Sequence, residues 1–85
     1  MIDFSNFTFK DAKLETILKG EQIYLADKVK KIDDKNYVVC GGQEYEVSLV
    51  PEEKTIQCSC QGYFHYLYCK HSIALAVYLN GGKRI

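Results

Sequence analysis

Four side chains able to hold a soft metal ion stand in two tight pairs near the end of the chain. Cys58 and Cys60 form one pair in "CSC", Cys69 and His71 the other in "CKH", with eight residues between the pairs. Three of the four cysteines and both histidines thus fall within fourteen residues. A structural zinc site needs four nitrogen or sulfur donors converging tetrahedrally, with Zn–S near ~2.3 Å. In a strand, residues two apart point to the same side, so Cys58 and Cys60 can turn to one ion. In a helix, two residues turn the chain by ~200°. Cys69 must therefore precede a helix, and His71 must stand in or just before its first turn. Free N–H groups at a helix start stabilise thiolates there. Three thiolates and a neutral imidazole around Zn²⁺ leave a net charge of about −1, which Lys70, between two ligands, offsets.

Other chemistries fit this spacing less well. A Cys58–Cys60 disulfide closes a strained small ring and leaves the histidine unexplained. A catalytic Cys–His pair lacks an orienting third group, and four protein donors leave zinc no open position. Iron–sulfur ligation stays open in principle, although three cysteines and one histidine suit zinc better. His65 competes with His71 as fourth ligand, and Cys40 reads as a small buried hydrophobe at a strand end.

The elements that must position these donors are readable in outline. "TFKDAKLETILKG" predicts a short helix, with Thr8 and Asp11 as a capping pair and Leu14, Ile17 and Leu18 on the core face. Gly20 is then its left-handed stop. A strand is expected at about Lys28 to Ile32, led in by Ile23 to Leu25. "DDK" turns into a second strand, "NYVVC", and Gly41–Gly42 signals a hairpin. "QEYEVSLV" alternates, with Tyr45, Val47 and Leu49 on one face and Glu44, Glu46 and Ser48 on the other. "PEEK" turns into a fourth strand, "TIQCSC", which carries the first ligand pair. "HSIALAVYL" is a helix stopped by Asn80, Gly81 and Gly82. One side of it must pack on the sheet, leaving the remainder free to receive a partner.

This amounts to one α+β domain over residues 1–85. Residues 1–53 hold the short N-terminal helix and a small antiparallel sheet, 54–80 the zinc-binding unit, and 81–85 a tail. At 85 residues the chain is small enough for a metal staple to matter. A 47% hydrophobic fraction argues against disorder, and no apolar run reaches the ~18 residues of a membrane span. "MIDFSNFTFK" lacks the basic and apolar regions of a signal peptide, so an intracellular, cytoplasmic location is expected, where cysteines serve as ligands more often than as disulfides.

The pattern C-x-C, eight residues, C-x-H, followed by "SIALAVYL", resembles the SWIM zinc finger. "LKGEQIYLADKVKKID" and "YVVCGGQEYEVSL" are similar to the segments preceding that finger in prokaryotic SWIM proteins. The resemblance spans about residues 14–80 and implies a ββα finger with Cys58, Cys60, Cys69 and His71 as ligands of one structural Zn²⁺. Its members occur in chromatin-remodelling ATPases, mutator-type transposases, recombination accessory factors and some ubiquitin ligases, and bind DNA or protein. This chain has no room for those larger activities, so a non-enzymatic module is expected.

Its expected partner is DNA or another nucleic acid, with a protein as the alternative, and neither a membrane nor a small-molecule substrate. Net charge is zero, yet no acid follows Glu53, while Lys54, Lys70, Lys83 and Arg84 do. Lys28, Lys30 and Lys31, with Lys70, Lys83 and Arg84, are candidate phosphate contacts if folding gathers them. Within the insert "QGYFHYLY", Tyr63 and Tyr66 are candidate stacking surfaces for unpaired bases.

Overall fold

The computed structural model describes residues 7, 9, 12–40, 43–60 and 68–83. Helix α1 (Leu14–Leu25) is followed by strands β1 (Val29–Lys31), β2 (Asn36–Cys40), β3 (Glu44–Val50) and β4 (Thr55–Cys58), and then by helix α2 (Lys70–Leu79). The strands form one antiparallel sheet in sequence order. The α+β class expected from the sequence is the class observed.

Alternation sets the sheet register, because one face must be buried and a one-residue slip would expose it. Val39 pairs with Tyr45, Val47 with Cys58, and Leu49 with Ile56. Val39, Val47 and Ile56 are fully buried, while Glu44, Glu46 and Gln57 point to solvent. The "DDK" turn is held by the Asp33 carboxylate, whose Oδ1 accepts from the backbone N–H groups of Lys35 and Asn36, both at 2.8 Å. Pro51–Glu53 form a short 3₁₀ turn, and Lys54 closes it in the left-handed region at φ 53°. The glycines of the "GG" hairpin signal, like Thr8 and Asp11, lie outside the described residues.

Helix α2 is the centre of the molecule. The sheet packs against one side of it and α1 against another. Every residue from His71 to Val77 is buried, so no face of this stretch is left for a partner, contrary to the expectation from its all-round apolar character. The helix ends as expected, with Gly81 and Gly82 at φ 70° and 87° and the Gly82 N–H donating to Val77 O at 2.9 Å.

The first helix departs from the expectation. It starts at Leu14, with Lys13 as N-cap, and continues through Gly20 to Leu25, so Ile23–Leu25 are helical rather than the lead-in to a strand. Its stop is Asp27, at φ 59°. Gly20 is buried mid-helix against α2, and a Cβ there would meet Ile73 Cγ2 at 2.6 Å and the Ala74 backbone nitrogen at 3.0 Å. The glycine thus permits close helix approach instead of ending the helix. That contact also sets the helix rotation: Ile17, Ile23 and Tyr24 pack toward the core, whereas Leu14 and Leu18 are exposed. Restoring a methyl group at Gly20 should gain ~1 kcal/mol of helix propensity and lose more to overpacking, which typically costs ~1–3 kcal/mol. Gly20→Ala is therefore expected to lower the melting temperature by about 5 °C, as read by circular dichroism; a raised value would contradict the close-approach role.

Candidate metal centre

The donors come from both ends of the insert. Cys58 is the last residue of β4 and faces inward beside Val47. The strand ends there, and Cys60 lies in a bend after it rather than on the strand itself. Ser59 holds that bend against β3: its N–H donates to Glu46 O at 3.1 Å, and its Oγ accepts from the Glu46 N–H at 3.2 Å. Cys69 is the N-cap of α2, and His71 stands in the first turn. Cys69 is extended, at φ −158°, which turns its side chain back over the helix start. The Ser72 N–H donates to Cys69 Sγ at 3.4 Å, while Ser72 Oγ accepts from the Cys69 N–H and donates to its carbonyl. A capping box of this kind satisfies helix-start groups that water cannot reach.

Ligand atoms of Cys58, Cys60, Cys69 and His71 all lie within 4.8 Å of one another. His71 Nδ1 is 3.7 Å from both Cys58 Sγ and Cys69 Sγ. Zn–S near ~2.3 Å and Zn–N near ~2.0–2.1 Å set a tetrahedral S···N edge of about 3.6 Å, so the spacing fits zinc with Nδ1 as the donor nitrogen. Nδ1 ligation leaves the imidazole proton on Nε2, which is buried without a hydrogen-bond partner among the described residues. Tyr45, from β3, lies over the imidazole with ring centroids 4.2 Å apart and planes at 32°.

Electrostatics favour a cation at this point. The Cys69 thiol is held well below the ordinary thiol range, chiefly by the bond it accepts from Cys58, with further help from His71 and the Ser72 N–H against the cost of burial. Cys58, donating that bond and itself buried, is pushed up. Both shifts come from one thiol donating to another among crowded sulfurs, a place where a divalent cation would stabilise the thiolate forms instead.

Residues 45–80 match the SWIM zinc finger family, and the Cys₃His cluster within that span is consistent with a SWIM-type site. The match runs from β3 through β4 to the end of α2; "LKGEQIYLADKVKKID" lies before it, and "YVVCGGQEYEVSL" runs into its start. No curated protein and no solved structure gave a match. Family match and buried donor set together fit one structural zinc ion. This is a zinc-binding module.

The other candidates are more scattered. Lys70 is exposed beside the donors, and Lys83 is exposed beyond the opposite end of α2. Tyr63, Tyr66, Arg84 and the competing His65 lie outside the described residues. Cys40 is half-buried, a free thiol outside the donor cluster. Two features escaped the sequence reading, the Tyr45 ring over His71 and the Ser72 cap. Tyr45 was legible only as an inward aromatic on a neighbouring strand.

A groove of about 840 Å³ opens over the centre. Lys13 and Lys19 of the α1 region form part of one wall, Tyr45 part of the other, and Tyr68, Lys70 and His71 also line it. A smaller depression continues from it, sharing Lys19 and Lys70 and adding Lys28. Among the described residues, no helix is long and apolar enough to cross a membrane.

Zinc binding to small fingers is worth ~10–16 kcal/mol, as much as or more than the whole stability of a domain this size. Excess chelator should accordingly abolish the cooperative melting transition; an unchanged melting curve would show that the core stands without metal. Elemental analysis should find one zinc per chain, retained in Cys40→Ser and lost in Cys69→Ser, and the reverse pattern would overturn the ligand assignment.

Proposed function

We propose that this protein is a non-enzymatic module, stapled by zinc, that binds nucleic acid. The observation that carries the reading is the convergence of lysines beside the metal centre. Lys13, Lys19, Lys28 and Lys70 come from three separate parts of the chain and border two connected depressions. Among the described residues Glu15 is the acid on that rim, and it is itself paired with Lys19 at 3.3 Å. Glu44 and Glu46 belong to the outward row of the sheet, so an overall charge of zero conceals a basic patch on the groove side. Four protein donors around zinc leave no position for a substrate or activated water, which supports a structural rather than catalytic metal.

A protein partner is the second reading. Leu14, Leu18 and Leu25 lie on one outward side of α1 and are 59%, 40% and 77% exposed.

Phosphate contacts by about four lysines give a log–log salt slope of about −3 to −4. Fluorescence anisotropy with labelled oligonucleotides should show weak, micromolar binding with that slope. The double change Lys19→Glu and Lys70→Glu should weaken it on all sequences alike. Absence of binding to both single and double strands at low salt would reject the nucleic-acid reading and bring the protein partner forward.

A further inference from the structure

Resting on the nucleic-acid reading, we infer that the groove over the metal centre takes an unpaired base, stacked on Tyr45. The ring of Tyr45 is backed by the His71 imidazole at 4.2 Å. That imidazole is fixed in turn by its place among the donors, with Nδ1 3.7 Å from two sulfurs. Tyr45 is half-buried and, like His71, lines the groove. An aromatic ring held from behind loses little freedom when a second flat group lies on it, which is the condition for a good stacking platform.

Strand preference follows from geometry. A base inside a duplex has both faces covered by its neighbours and has none to offer a tyrosine. A base from a single strand has free faces, and stacking of this type is tolerant of sequence. At about 840 Å³ the groove lies within the range of ligand-sized sites. Lys13 and Lys19 on one wall and Lys70 near the metal ligands are placed to meet the flanking phosphates. Aromatic platform and basic wall are the two parts that single-strand binders combine. The metal centre thereby acquires a second role: besides anchoring the fold, it backs the ring on which the base rests.

The test compares a thymidylate strand of about eight nucleotides with a duplex of the same length, by anisotropy on the zinc-loaded protein. Tyr45→Leu should lower single-strand affinity about tenfold and leave duplex affinity within about twofold, while Tyr45→Phe, which keeps the ring, should restore single-strand binding. Parallel loss on both ligands would mean that the ring only supports the fold, and would overturn the inference. So would equal single-strand binding in Tyr45→Leu. In both cases the basic groove as a nucleic-acid site survives, because duplex binding in the unmodified protein tests it separately. A second measurement needs no variant. In the unmodified protein, Tyr45 ring protons should move upfield on addition of the thymidylate strand; their failure to move while the strand binds would place the base elsewhere.

Discussion

Helix α2 has no solvent side over most of its length, and the rest of the structure answers to that constraint. Ile73, Ala74, Leu75 and Ala76 have no exposed surface, and Val77 almost none. A single sheet can cover only one side of a helix. The other side is covered by α1, and the two backbones can meet only because Gly20 has no side chain to hold them apart. Burial also reaches the start of α2, where unpaired N–H groups cannot be left to water. Cys69 and Ser72 take up part of that demand between them.

The metal centre is therefore continuous with the core rather than attached to it. Cys58 closes the inward row of β4, Cys69 caps the central helix, and His71 packs under Tyr45. Burying three thiolates and an imidazole together is unfavourable unless a cation neutralises them. The same charge that makes the cluster costly without metal makes it selective for a small divalent ion with a preference for sulfur and nitrogen. Because donors are contributed from both sides of the insert, zinc ties β4 to α2 across residues that a chain this small could otherwise close only at an entropic cost.

Function is read one step outward from that centre. The lysines that border the groove are far apart in the chain and become neighbours only because α1 lies across α2 near the metal. Of these, Lys28 and Lys70 are legible in the sequence as candidate phosphate contacts, but their meeting with Lys13 and Lys19 is not. Lys13 and Lys19 carry no local signal at all, since charged residues on an amphipathic helix are ordinarily just its solvated face.

The sequence by itself determined what depends on short-range spacing. One residue between donors on each side of the insert, strict alternation in "QEYEVSLV", and Asn80–Gly81–Gly82 after an apolar run each have one natural local conformation. The strands, the helix carrying His71 and the four donors were legible for that reason. Tertiary structure decided what depends on which faces meet. Gly20 serves equally well as a helix stop or as a crossing point, and only the approach of Ile73 selects the second. That choice lengthens α1 to Leu25 and rotates Leu14 and Leu18 outward. It also lays α1 along the metal centre to make the groove. No local propensity encodes this, because the deciding contact joins residues more than fifty positions apart.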